Sequence, residues 1–257
     1  MSNNLKGFTD QFLFFKNFRK VFPCYSTYVS QQSKRPIKMK HFILRSFLFI
    51  FFLSSPATEA EDNISHPIGH FSSGSLDNWN NKIFSGTTDY QLVQLDGSQV
   101  LKAESHAGAS GLFNQQHIDL HKTPYLNWRW RIDKRLNNLD EQSKGGDDYS
   151  ARIYVVISGG WTFWKTKAIN YVWSGNTAKG SIWPNAFAGK SAMMIALRSG
   201  DDKTHSWYQE KRNVLQDIQS QFGKDIRYID AVALMTDTDN AQGEALSYYG
   251  DIYFSEK

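Results

Sequence analysis

The densest group of oxygen donors in this 257-residue chain is Asp237-Thr238-Asp239-Asn240. A Ca²⁺ ion takes about six to eight oxygens, so Asp147, Asp148 or Asp251 would have to join it from other loops. The Gly and Glu positions of an EF-hand loop are missing. The plainer reading is a capped turn, in which Asp and Asn side chains bond local backbone N–H groups. No cofactor is therefore expected, with a structural Ca²⁺ as the alternative. A second group is basic: Arg129, Arg152 and Arg198 stand in the polar phase of alternating segments, with Asn127, Arg131 and Tyr154. Guanidinium offers a planar fork of donors to carboxylate, phosphate or vicinal hydroxyls. On one shared face with Asp148, these residues could bind a glycan or an anion. The competing reading pairs Arg152 with Asp148 as a structural brace.

A third group is aromatic. Trp161, Trp164, Trp173, Trp183 and Trp207 fall in one stretch, and flat rings stack on the apolar faces of sugars. Trp173 is in phase with Ile169 and Tyr171, which points to the core. Trp161, Trp164 and Trp183 lie beside Gly or Pro and are the better platforms. The expected ligand-binding set is thus Arg129, Asp148, Arg152, Trp164, Arg198, Asp237 and Asp239. No catalytic residue and no metal ligand is assigned. His117-Ile118-Asp119-Leu120-His121 spaces three ligand types at period two, but lacks a further zinc ligand and reads as a solvent-facing edge. HExxH, GxSxG, Walker and dinucleotide-binding patterns are absent. A carboxylate pair for glycoside hydrolysis would meet only in space; Asp147/Asp148 with Asp237/Asp239 are the residues it would use.

The elements that must position these groups are strands. Tyr90–Leu95 and Val100–Ser105 flank Asp96-Gly97, a hairpin turn dipeptide. Period-two alternation recurs over residues 126–132, 151–157, 169–173, 193–198, 229–235 and 248–254, between Gly, Asn, Asp and Ser clusters. One short helix is expected near 206–222: Ser206 as cap, Val214, Ile218 and Phe222 on one face, Gly223 as the stop. Half-polar strands disfavour a purely parallel sheet. The fold class is mostly β, a two-sheet antiparallel β-sandwich of the jelly-roll type.

Ahead of this domain, residues 39–60 read as a signal peptide. Met39, Lys40 and Arg45 form a basic start, Phe47–Leu53 an apolar run, and Thr58 and Ala60 the small residues of a cleavage site. Residues 1–38 are expected to be a disordered upstream over-extension, 61–75 a linker or edge, and 76–257 the sandwich. The apolar run falls short of the roughly 18 residues of a membrane helix, so no span is expected after cleavage; a retained anchor is the alternative. Residues 1–60 hold nine of the 29 Lys/Arg and two of the 25 Asp/Glu, leaving 20 bases against 23 acids. The basic character belongs to the leader, and nucleic acid is not an expected partner. Cys24, the one cysteine, lies in the leader too, so the remainder can form no disulfide.

Tyr90–Ala103 (YQLVQLDGSQVLKA), Ala109–Leu112, Pro124–Arg131 (PYLNWRWR), Gly146–Val155 (GDDYSARIYV) and Tyr171–Ser174 form an ordered series. Arg212–Val214, Phe222-Gly223, Met235–Asn240 (MTDTDN) and Tyr249–Phe254 (YGDIYF) continue it. In this series the chain resembles the bacterial Domain of Unknown Function family 3047. The resemblance implies export from a bacterial cell and a sandwich like those of carbohydrate-binding modules, and it donates no catalytic residues. The expected function is a periplasmic or secreted, non-catalytic binder of a glycan or another cell-envelope ligand. The alternatives are an envelope-glycan hydrolase using an Asp pair, or a structural or assembly partner of another envelope protein.

Overall fold

The computed structural model describes residues 65–160 and 165–257. The expected signal peptide, the segment before it, Trp161 and Trp164 lie outside the described residues. In chain order the first strands are β1 (Ser65–Gly69), β2 (Trp79–Ser85), β3 (Thr88–Leu95), β4 (Ser98–His106) and β5 (Ala109–Asp119). There follow β6 (Tyr125–Lys134), β7 (Ala151–Ile157), β8 (Lys167–Trp173), β9 (Ile182–Asn185) and β10 (Gly189–Arg198). The last elements are β11 (Tyr208–Asn213), helix α1 (Val214–Phe222), β12 (Tyr228–Met235), β13 (Glu244–Tyr249) and β14 (Ile252–Ser255).

Among the described residues the strands form two seven-stranded sheets. Sheet A runs β1-β14-β6-β13-β4-β3, with β11 also paired to β6. Sheet B runs β2-β5-β12-β7-β8-β10-β9. The chain crosses repeatedly between the sheets, the wrap of a jelly roll. One apolar core joins them, with Trp128 and Trp130 of β6 facing Tyr171 and Trp173 of β8. The Trp128 ring lies 5.5 Å from Tyr171, and the Trp130 ring 5.8 Å from Trp173. Trp173 is therefore a core residue, as its phase with Ile169 and Tyr171 requires.

The β3–β4 hairpin turns on Asp96 (φ 52°) and Gly97 (φ 78°), both left-handed, as a two-residue turn of matching twist demands. Three details depart from the sequence reading. The helix begins at Val214, capped by the Asn213 side chain, which accepts from Gln216 N. Residues 208–213 instead form β11, whose backbone pairs with β6. The expected final strand is two strands, because the chain bends at Gly250 directly beneath Arg129. The pair β8–β10 is parallel, inside an otherwise antiparallel sheet. The described part of the expected linker holds β1, an edge strand on β14. No described helix is long and apolar enough to cross a membrane.

Candidate functional site

The MTDTDN segment continues the period of β12 past its last ladder pair. Thr236 and Thr238 turn inward, Asp237 and Asp239 outward. Thr236 Oγ1 donates to Ser150 O (2.9 Å) and meets Ser247 Oγ and Tyr249 Oη. Thr238 Oγ1 meets Ser105 Oγ at 2.9 Å. These buried hydroxyls fix the backbone, so that Asp237 projects beside Arg152, which stands opposite Met235 in the β7–β12 register.

Arg152 and Asp237 form a buried ion pair. Asp237 also accepts from Tyr149 N at 3.3 Å. The Arg152 guanidinium lies 5.2 Å from the ring centres of both Tyr149 and Tyr154. The brace foreseen for Arg152 exists, but its partner is Asp237. Asp148 serves another turn: its Oδ1 accepts from Asn240 N (3.2 Å) and Nδ2 (3.0 Å), and its Oδ2 from Ala241 N (2.6 Å). Burial pushes the Asp237 carboxyl up, against the pull of Arg152. Burial and then Asp148 push Asp239 up as well. Asp147 is pushed up to about 6, chiefly by burial, against Arg152 and the Asn185 amide.

Asp148, Asp237 and Asp239 bring carboxylate oxygens within 4.8 Å of one another. The oxygens of Asp148 and Asp237 accept from protein donors, and Arg152 stands against Asp237. A Ca²⁺ takes about six to eight oxygens, so binding one here would require these bonds to open and further ligands to join. The turn-capping reading of the segment accounts for these contacts.

The outer face of sheet B is the unusual surface. Its register aligns Met235, Arg152, Val172 and Ala196 in one row across the strands. The next row is Phe113, Ala233, Tyr154, Asn170, Met194 and Trp183. A third is Ala231, Val156, Ala168 and Ala192. All these residues are buried, although they point away from the inter-sheet core. Beside Met194, Asn185 Nδ2 donates to Asp147 Oδ2 (2.8 Å), and Lys144 Nζ stands 5.3 Å from the Phe187 ring centre. Within this layer Arg152 Nε, Asn170 Oδ1 and Trp183 Nε1 are buried with no hydrogen-bond partner among the described residues.

The fold therefore brings together Arg152, Asp148, Asp237 and Asp239 at one end of sheet B. It places the other two arginines of the expected ligand-binding set elsewhere. Arg129 lies on the outer face of sheet A, 4.7 Å over the Trp207 ring. Arg198 aligns with Trp173 and bonds Glu210 at 2.5 Å, which also accepts from Trp130 Nε1. Trp183 is a buried side chain on β9, 4% exposed. His117 pairs with Asp230 and Asp119 with Arg227, so this period-two triplet does not converge on a metal. Asn170, Asn185 and Tyr149 were not singled out as candidates. The signal for Asn170 was present: Ala168 and Val172, its neighbours in phase, are apolar on what should be a solvent face.

Fold and site define a β-sandwich in which the central strands of one sheet are buried on both faces and carry unpaired polar groups in their outer layer. The chain belongs to the family described as protein of unknown function DUF3047, whose model matches residues 77–253. No curated protein matches the sequence. Among solved structures, it is similar to a carbohydrate-binding module of the β-sandwich superfamily (13% identity, TM-score 0.39). That match covers 72% of this chain and 60% of the other. It is also similar to the family 30 carbohydrate-binding module of a Clostridium thermocellum cellulosomal cellulase (11%, TM-score 0.44), over 76% of this chain and 98% of that one. A thermostable cellulase derived from a Rhodothermus marinus enzyme matches at 8% identity and TM-score 0.43, over 75% and 99%.

Proposed function

We propose that this protein is a non-catalytic glycan-binding module whose ligand contacts the end of sheet B where Arg152, Asp148, Asp237 and the part-exposed Asp239 meet. The supporting observation is the convergence of these side chains beside the rings of Tyr149 and Tyr154, with Arg152 Nε left unpartnered. A buried donor or acceptor left unmade costs about 1–3 kcal/mol. A sugar ring offers hydroxyls to pair such atoms and an apolar face for the rings. Asp237 holds Arg152 in place, and Asp148 and Asp239 shape the loop beside it. With the leader-like residues 39–60, the module works outside the cytoplasm, in the periplasm or beyond.

A glycan array followed by calorimetry tests this reading. Asp239→Ala, at the part-exposed carboxylate of the cluster, should weaken binding at least tenfold with little change in melting temperature. No binding to any glycan defeats the reading. Protein recovered from the periplasm or medium should begin at Glu61; retention of Phe47–Leu53 would show that the leader is an anchor.

A second reading rests on Asp147. A carboxyl pushed up to about 6 keeps its proton in mildly acidic solution, as a general acid working there requires. Turnover of a bound glycan, lost in Asp147→Asn with binding kept, would make the protein a hydrolase.

A further inference from the structure

We propose a second, separate site: the part-exposed Arg129 on the outer face of sheet A binds the carboxylate of an acidic saccharide. This goes beyond the reading at the end of sheet B, and neither depends on the other.

Arg129 stands apart from the other described arginines. Arg131, Arg152, Arg198, Arg212 and Arg227 each pair with a carboxylate. Arg135 donates to Asn137 Oδ1 and to the carbonyls of Gly200 and Asp202. Among the described residues the Arg129 guanidinium has no hydrogen bond and no ion pair; its one contact of this kind is a ring.

Its position is nevertheless fixed from both sides. The guanidinium lies 4.7 Å from the Trp207 ring centre. Trp207 is itself anchored, because its indole N–H donates to Asp96 Oδ2 at 3.0 Å. On the other side the arginine stem crosses the backbone of Gly250, where a Cβ would stand 2.5 Å from Arg129 Cγ and Nε. Gly250 N donates to Arg129 O at 2.9 Å. Gly250 is not among the left-handed glycines, so it is the space left for Arg129, and not a turn, that calls for glycine there. Contact with a ring leaves the guanidinium N–H donors available. A carboxylate meets such a planar fork with two parallel bonds.

The neighbouring row of the sheet supplies the rest. The β6 register sets Lys211 and Tyr253 on either side of Asn127, in phase with Arg129. Lys211 is exposed, lies 4.8 Å from the Tyr125 ring centre and has no carboxylate partner among the described residues. Tyr253 is 37% exposed. The carboxylates of this region are committed: Asp96 and Asp133 bond Arg131, and Asp251 accepts from Ser72 N at 2.8 Å. Two cations therefore remain unmatched beside an accessible ring. A hydroxyl could fill the N–H donors but would leave both charges uncompensated. A carboxylate supplies acceptors and charge together, and the ring accepts the apolar face of the sugar that carries it.

Calorimetry on the purified full protein compares a hexuronate oligomer with a neutral hexose oligomer of equal length and with oligoglutamate. The hexuronate should bind about tenfold more tightly than either. Arg129→Ala should weaken hexuronate binding by about tenfold or more. Arg129→Lys, which keeps the charge and loses the fork, should weaken it several-fold. Gly250→Ala, which displaces an intact Arg129 from Trp207, should also weaken it several-fold and serves if Arg129→Ala does not fold. Lys134→Ala removes a different cation of sheet A and should leave hexuronate binding within about twofold. No hexuronate binding, binding unchanged in Arg129→Ala, or equal losses in Arg129→Ala and Lys134→Ala overturns the site. Equal binding of the hexose oligomer overturns the part given to charge, and equal binding of oligoglutamate overturns the saccharide.

Discussion

The two outer faces of this sandwich follow opposite rules. On sheet A, charges are matched in ladders. Lys102 meets Glu104 at 2.5 Å, His106 lies between Glu104 and Glu244, and Lys134 pairs with Glu244. Arg131 bonds Asp133 (2.7 Å) and Asp96 (2.8 Å), and Asp96 also accepts from Trp207 Nε1. On sheet B the equivalent face is alanine, valine, methionine and tyrosine, interrupted by Arg152 and Asn170. An antiparallel sheet with one solvated face needs polar residues there. Sheet B lacks them, so its outer face behaves as a second interior. The lesson is that a polar group on sheet A is surface chemistry, whereas one on sheet B has been kept in spite of burial.

The largest expected effect tests that contrast at the ion pair. Asp237→Ala leaves the Arg152 charge buried and unpaired, and should cost about 3–5 kcal/mol in urea denaturation. A loss under about 1 kcal/mol would place Arg152 in water, like the arginines of sheet A.

The next effect is the response to acid. Asp147 has a folded-state pKa raised to about 6, so between pH 6 and its ordinary value near 3.8 the folded state binds the extra proton. Stability should therefore rise as pH falls from 7 toward 4, by about 2–3 kcal/mol. Asp147→Asn should remove about that much of the rise, leaving what Asp237 and Asp239, also pushed up by burial, contribute with the same sign. Asp119 has the opposite sign: its hydrogen bonds from Arg227 hold it down to about 2. Its contribution is present above the ordinary carboxylate range and is lost as pH falls from about 4 toward 2. Stability that only declines from pH 7 downward would contradict the burial of Asp147.

Smaller still is Trp183→Phe, which removes an unpartnered N–H but also part of a buried ring, and should cost about 1–2 kcal/mol in urea denaturation. A cost near zero would mean that this ring is not packed as the second interior requires. Smallest is Lys134→Ala on sheet A, expected within about 0.5 kcal/mol, since both members of that pair are about half exposed.

Much of this architecture was readable from residue order. The alternation of Leu126, Trp128, Trp130 and Ile132 names the core face of β6. Asp96-Gly97 names its hairpin, and Gly223 its helix stop. The site was half readable. MTDTDN signalled a capped turn, but its coupling to Arg152 arises only when β12 pairs with β7. Alternation gives the phase of a side chain along its own strand and carries no information on sheet membership. Arg129 and Arg152 thus share a phase and lie on different sheets. Strand β11 was hidden because Tyr208–Asn213 is largely polar, and its place comes from backbone pairing with β6. The doubly buried layer was legible in β8, where Ala168 and Val172 are apolar in one phase and Ile169, Tyr171 and Trp173 in the other.

The pairing of β1 with β14 bears on how the chain reaches this state. Ser65 sits opposite Ser255, and β14 lies between β1 and β6. Sheet A is therefore incomplete until its final strand has left the ribosome, about 10–40 s after the first at common elongation rates. During that interval β1 and β6 lack their shared neighbour, so the wrap cannot close from its N-terminal end.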